Sequence, residues 1–229
     1  MMQKTIIVCG YGTGISDAVA NRFASEGFQI AISARNAQKL AAAQQALAAK
    51  GVKAAAFTAD LTDPAAAKSL VQNVRAQMGP ITAIHWNAYS NLAGDLTTAG
   101  AAELRTDFDV AVTSLVLAVQ EALPDLKAAN GAVLVTDGLL ALFDPKVDAM
   151  AVQWNSMGLA IANSAKHKLI GLLTEKLRAD GVTVGEVMVD GLVKGTAWDD
   201  GSATIDPRTV ADEFWGLYSR RESKTVTVR

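Results

Sequence analysis

The stretch Val8-Cys9-Gly10-Tyr11-Gly12-Thr13-Gly14-Ile15-Ser16 holds three glycines within five residues, directly after an apolar run. Glycines at such a turn let the backbone bend sharply and approach an anion closely, with amide N–H groups and the positive end of a following helix to hold it. The chemistry this suggests is binding of a pyrophosphate-linked dinucleotide. The G-x-G-x-x-G pattern fails at Ile15, whereas G-x-x-x-G-x-G fits Gly10 and Gly14 and ends in Ser16. A tight strand-to-helix connection without a ligand is the plainer reading of either incomplete match. Two residues further on extend the dinucleotide reading. Arg35 follows a short apolar run where NAD-preferring folds commonly place an acid for the ribose 2′-hydroxyl, and a guanidinium there can clamp a 2′-phosphate. NADP(H) is therefore favoured over NAD(H), the alternative being a solvated arginine at a loop start. Asp60-Leu61 pairs an acid for the adenine amino group with an apolar flank for its ring, although Asp60 can equally cap the turn before Pro64.

These positions need elements to hold them. Lys4 to Cys9 reads as a buried parallel strand, and Ala18, Val19, Phe23 and Ala24 recur at helical spacing up to Gly27. Strands are predicted at 29–33, 52–59, 81–86, 131–136, 182–189 and 225–228. Helices are predicted at 37–50, 64–78, 101–127, 150–179 and 207–219, with loops at 137–148 and 190–206. Strands alternating with helices over the whole chain imply a single-domain Rossmann-type α/β fold, a doubly wound parallel sheet of about seven strands with helices on both faces. Ligands then belong at the carboxyl ends of the strands.

Composition narrows the partners. With 229 residues, half of them apolar, the chain can bury one large core, and a net charge of −2 offers no general basic field for nucleic acid or an anionic membrane. A small-molecule substrate is the expected partner. Cys9 is the only cysteine and sits in a buried strand, so it reads as inert packing in a reducing compartment. No apolar run is long enough for a membrane span and no secretory signal is visible, which points to the cytoplasm. Two separated histidines and one cysteine give no metal-site spacing.

With the elements placed, the chain resembles the short-chain dehydrogenase/reductase family along its whole length. Gly10, Gly14 and Ser16 stand for its T-G-x-x-x-G-x-G turn, with Tyr11, Gly12 and Ile15 completing the cofactor cradle. Asp60 stands for its adenine-binding acid and Asn87-Ala88 for its N-N-A-G stretch. Asn163-Ser164-Ala165-Lys166 looks like the helix of its Y-x-x-x-K motif, and Asp190-Gly191 with Thr196 resembles its P-G-x-x-x-T segment. The resemblance implies that Gly191 and Thr196 also face the cofactor, and that Lys166 holds the nicotinamide ribose.

The family's catalytic set is mostly missing. Ala162 stands at the tyrosine position, Gly138 at the serine and, approximately, Ala111 at the helix-four asparagine; only Lys166 remains. An atypical branch keeps the lysine with an apolar residue for the tyrosine, and Val189-Asp190-Gly191 looks like that branch. Asp137, Tyr89 and Asp190 are the candidate replacement acids, each set against a duller role, Asp137 as a loop or helix cap and Tyr89 as a pocket wall. A desolvated Asp137 would have a raised pKa and could donate a proton. His167 points about 100° away from Lys166 and reads as solvated or packed, and His85 reads as a satisfied core residue. The expected function is an NADP(H)-binding oxidoreductase acting on a small carbonyl or alcohol with a substituted proton donor. The alternative is a catalytically silent cofactor-binding protein, a sensor or a partner. The helices at 101–127 and 157–166 carry apolar residues on more faces than one sheet covers, so a homodimer or homotetramer is expected.

Overall fold

The computed structural model describes residues 3–229. Seven strands form one sheet in the order β3-β2-β1-β4-β5-β6-β7, every pair parallel. They are β1 (Lys4–Cys9), β2 (Phe28–Ala34), β3 (Ala54–Thr58), β4 (Ala83–Trp86), β5 (Ala132–Gly138), β6 (Thr183–Val189) and β7 (Thr225–Val228). The strands read as continuous apolar runs because both faces are covered, as parallel sheets require. One face carries α1 (Ile15–Ser25), α2 (Ala37–Ala49) and α8 (Pro207–Arg220), with Phe23, Phe28 and Phe214 in its core. The other carries α3 (Pro64–Met78), α5 (Ser114–Ala128) and α7 (Met157–Leu177), packed on Trp86, Val133, Leu115 and Ile170.

Local signals set the helix ends. Asp63 caps α3 by accepting from the Ala65 N–H (2.9 Å), Pro64 opens it, and Gly79 closes it at φ 85°. Arg75 cross-links α3 to α5, donating to Asp125 (2.7 Å), to Glu121 (2.9 Å) and to the Glu121 carbonyl.

Three stretches differ from the sequence expectation. The helix expected at 101–127 is α4 (Ala101–Phe108), a π-helical turn (Asp109–Thr113) and α5. The helix expected at 150–179 is two: α6 (Pro145–Gln153) stops at Trp154–Ser156, where Asn155 takes a φ of 50°, before α7 begins. The loop expected at 137–148 starts inside β5, passes through a short 3-10 turn (Leu139–Ala141) and enters α6 at Pro145. Among the described residues no helix is long and apolar enough to cross a membrane.

Candidate functional site

Strand order reverses between β1 and β4, which lie side by side with Cys9 opposite Trp86. Chains leaving their carboxyl ends part in opposite directions and leave a crevice there. The glycine turn fills one bank of it. Gly10 has φ +73°, and a Cβ on it would sit 2.6 Å from the Ala88 backbone; Gly14 has φ +85°, and its Cβ would sit 2.6 Å from the Thr196 methyl. Neither position tolerates a side chain. Ser16 holds the turn closed, accepting from the Gly12 N–H (2.9 Å) and donating to the Gly10 and Gly12 carbonyls. The Tyr11 N–H donates to the Ser33 carbonyl (2.8 Å), and the Tyr11 hydroxyl donates to Asp17 (2.6 Å). A Cβ on Gly12 would meet no protein atom within 4 Å, so the space over the turn is open.

On one side of this turn lies a cavity of about 450 Å³ lined by Tyr11, Arg35, Asp60, Leu61, Asn87 and Ala88, among others. Sequence reasoning assigned Arg35, Asp60 and Leu61 to the adenosine half of a dinucleotide, and the fold brings them together beside Tyr11 of the glycine turn. Arg35 is exposed, with no ion pair among the described residues. Asp60 accepts from the Thr62 N–H (3.1 Å) and hydroxyl (2.9 Å), so it also closes the turn before α3.

On the other side a cavity of about 500 Å³ shares Gly10, Asn87, Ala88 and Tyr89 with the first and runs on past Ile15, Gly191 and Thr196 to Lys166 and Asp137. Its further walls are mainly apolar: Leu139, Leu140, Met150, Trp154, Leu159 and Trp198. At its floor Lys166 Nζ lies 3.5 Å from Asp137 Oδ1, with both side chains buried. Oδ1 also accepts from the Gly138 N–H (2.8 Å), while Oδ2 has no partner. Burial pushes the Asp137 carboxyl up to about 6; Lys166 pulls against the rise, the Glu186 carboxylate adds to it, and the Gly138 N–H opposes it. A carboxyl poised there can carry a proton near neutral pH.

The positions at which the sequence reading expected a tyrosine, a serine and an asparagine are close by. Ala162 is buried one turn before Lys166 on α7. Gly138 has ordinary extended backbone, and a Cβ on it would meet nothing nearer than the Val189 carbonyl at 3.9 Å, so the fold leaves room for a side chain there. Ala111 is buried in the π turn. Asn163, one turn before Lys166, lines the same cavity, 6% exposed, with an unpartnered Oδ1. Its i, i+3 spacing from Lys166 was the signal that could have found it.

Tyr89 is half exposed at the mouth, and its hydroxyl accepts from Trp198 Nε1 (3.0 Å). Asp190 accepts from Arg229 (2.8 Å). His85 is fully buried, one nitrogen on the Thr136 hydroxyl (3.0 Å) and Nδ1 without a partner; burial pushes it down to about 3. It is therefore a core residue only half satisfied. His167 binds the buried Glu186 through Nδ1 (2.7 Å), a carboxylate that sequence reasoning did not single out. Burial pushes the Cys9 thiol up, as an inert packing thiol requires. Among the described residues no His/Cys/Asp/Glu group has metal-site geometry.

Comparison with known proteins gives these features a context. The profile of the short chain dehydrogenase family matches residues 4–144. An uncharacterized oxidoreductase of Staphylococcus aureus is 23% identical over 231 aligned positions, covering 100% of this chain and 95% of its own. A 3-dehydrosphinganine reductase of Arabidopsis thaliana is 31% identical over 129 residues, 56% of this chain and only 38% of that reductase. Among solved structures, a metagenomic short-chain oxidoreductase in complex with NADP superposes with TM-score 0.80 at 22% identity over 99% of this chain and 96% of its own. A blue fluorescent protein from a metagenomic library, in complex with NADPH, superposes with TM-score 0.82 at 25% identity over 98% of this chain and 96% of its own.

Proposed function

Since the chain belongs to the short chain dehydrogenase family, we propose that it is an NADP(H)-dependent oxidoreductase that interconverts a neutral, largely apolar carbonyl compound and its alcohol, with Asp137 in place of the family tyrosine. The observation that carries this reading is the buried Lys166–Asp137 pair at the floor of an apolar cavity that is continuous with the glycine turn.

The cradle fits a dinucleotide. The open space over Gly12 leaves room for a pyrophosphate on the α1 N-terminus, and Arg35 and Asp60 supply the adenosine end. Lys166 and the unpartnered Asn163 Oδ1 line the cavity where they would hold the nicotinamide ribose and carboxamide. NADP-bound and NADPH-bound neighbours support the phosphorylated form, although an NADH-dependent reductase also superposes, at 17% identity. Held by these residues, a reduced nicotinamide would supply the hydride for the new C–H bond. Protonated Asp137 gives its proton to the carbonyl oxygen, forming the alcohol O–H, and the carboxylate left behind is stabilised by Lys166. Asp137 then regains a proton from solvent. Apart from Lys166, already engaged by Asp137, the cavity walls hold no cation, which disfavours carboxylate or phosphate substrates.

NADPH oxidation over a panel of neutral ketones, with Asp137→Asn as control, tests the reading. The variant should bind NADPH and lose about 10²- to 10⁴-fold in kcat, the usual worth of a positioned acid. Turnover undiminished in Asp137→Asn would remove Asp137 from the role. A second reading, a cofactor-binding sensor or partner without turnover, draws on Ala162 and Gly138 standing where the family's acid and serine stand. NADPH binding with no turnover on the whole panel would favour it. Ile161 and Leu172, exposed on α7, support association of two copies through that helix, which light scattering at micromolar concentration would check.

A further inference from the structure

Glu186 and Asp137 lie on neighbouring strands and project from the same sheet face, because Asp137 is opposite Met188 in register and Glu186 is two residues earlier. The two positions are thus about 6 to 7 Å apart along the strands. Glu186 is fully buried. Its Oε2 accepts from the Thr225 hydroxyl (2.6 Å) and meets His167 Nδ1 (2.7 Å), while its Oε1, like Asp137 Oδ2, has no partner. His167 is part exposed and follows Lys166 on α7, so one helix turn brings a buried ammonium to Asp137 and an imidazole to Glu186.

We propose that Glu186 and His167 are positioning residues for Asp137, a pair of buried acid and half-buried imidazole whose charge decides how tightly Asp137 holds its proton. Resting on the reading of Asp137 as the proton donor, the inference explains how that donor is tuned. The argument is a charge count. One buried carboxyl lies beside Lys166 and the other beside His167, and the cluster of Lys166, Asp137, Glu186 and His167 is neutral when both carboxyls are ionised only if His167 carries a proton. With the imidazole neutral, one negative charge is left over in a site without water-exposed oxygens, and such a site holds a proton on a carboxyl instead. The part that Glu186 plays in raising the Asp137 carboxyl points the same way.

Other charged groups near the cluster are committed elsewhere. Asp190, on the cavity wall, binds Arg229. Asp107, on α4 against α7, accepts from the Leu92 and Ala93 N–H groups (3.0 Å each). His85 on β4 projects to the opposite sheet face against Phe214. Tyr89 is held at the mouth by Trp198.

The test needs no substrate. In protein labelled with ¹³C at aspartate, the Asp137 carboxyl resonance, assigned by its loss in Asp137→Asn, is followed against pH in wild type, Glu186→Gln and His167→Gln. Glu186→Gln keeps the shape but removes the repelling charge, so the Asp137 midpoint should fall by about one pH unit. His167→Gln removes the imidazole that offsets the Glu186 charge when it carries a proton, so the midpoint should rise. His167 is on the surface, and that variant should fold even if Glu186→Gln does not. Shifts of opposite sign support the proposal, as does the rise in His167→Gln alone if the other variant is unfolded; an unmoved midpoint in His167→Gln, or shifts of the same sign, overturns it. Opposite shifts in a protein that reduces no carbonyl would leave the tuning standing and remove the oxidoreductase reading.

Discussion

Trp198 donates its indole N–H to the Tyr89 hydroxyl at 3.0 Å, with the ring centroids 6.2 Å apart, so the loop after β4 and the loop after β6 are joined across the mouth of the inner cavity. This gives Tyr89 a mechanical role. As a clasp, it contributes about 1 kcal/mol through a neutral hydrogen bond. Tyr89→Phe should therefore change kcat by less than about tenfold and move KM in the same experiment. A fall of 10²-fold or more in kcat at unchanged KM would make Tyr89 the acid instead.

Arg35 is exposed on the wall of the cavity proposed to take the adenosine, without a carboxylate partner among the described residues. Arg35→Ala should weaken NADPH about 10- to 150-fold, the range for a charge-assisted bond, and leave NADH nearly unchanged. Calorimetric titration of both cofactors decides it, since equal losses would make Arg35 mere scaffolding.

Gly10 and Gly12 stand two residues apart and predict opposite outcomes. A methyl on Gly10 meets the Ala88 backbone at 2.6 Å, so Gly10→Ala should lower the melting temperature or prevent folding. A methyl on Gly12 meets no protein atom, so Gly12→Ala should melt near wild type and still bind NADPH less tightly. Unchanged affinity in Gly12→Ala would mean that the pyrophosphate does not lie over this turn.

The stability of the fold should fall on acidification, and His85 is the reason. Burial holds it down at about 3, so below its ordinary 6.5 the unfolded chain takes up a proton that the folded chain refuses. Stability present above pH 6.5 is lost as pH falls toward 3. Asp137 acts oppositely: raised from 3.8 to about 6, it gives the folded state an extra proton between those values and stability grows as pH falls through that window. The displacement of His85 is the larger, so its sign should win. Melting temperatures from pH 7 to 4.5 should decline in wild type and decline less in His85→Gln; parallel curves would clear His85.

Elements whose signals are local were legible in the sequence. The glycine turn follows an apolar strand, and α3 is bounded by Pro64 and Gly79, so both could be placed from the sequence, whereas the cap of α3 is Asp63 and not Asp60. The π turn at Asp109–Thr113 was not legible, because one extra residue in the hydrogen-bond ladder leaves the apolar pattern of a helix almost unchanged. Nor was the break at Trp154–Ser156, where Asn155 takes the left-handed conformation without a glycine or proline to announce it. The candidate cofactor residues were read from motifs. Trp198 lies in a loop with no periodicity, and Glu186 lies in a strand whose burial on both faces hides which way a side chain points, so neither could be paired with its partner before the fold was known.

The sheet never closes on itself, and its two outer strands leave rows of backbone groups facing outward. Such rows invite other strands to add to them, and the hazard grows with their length. Here β3 is five residues long, preceded by Lys53, with its Ala54 carbonyl already taken by Gln44 of α2 (3.1 Å). At the other rim β7 has four residues between Lys224 and Arg229. Charge and brevity thus guard both rims, and the same fold with apolar residues at 53 and 224 would be prone to grow edge to edge into insoluble ribbons.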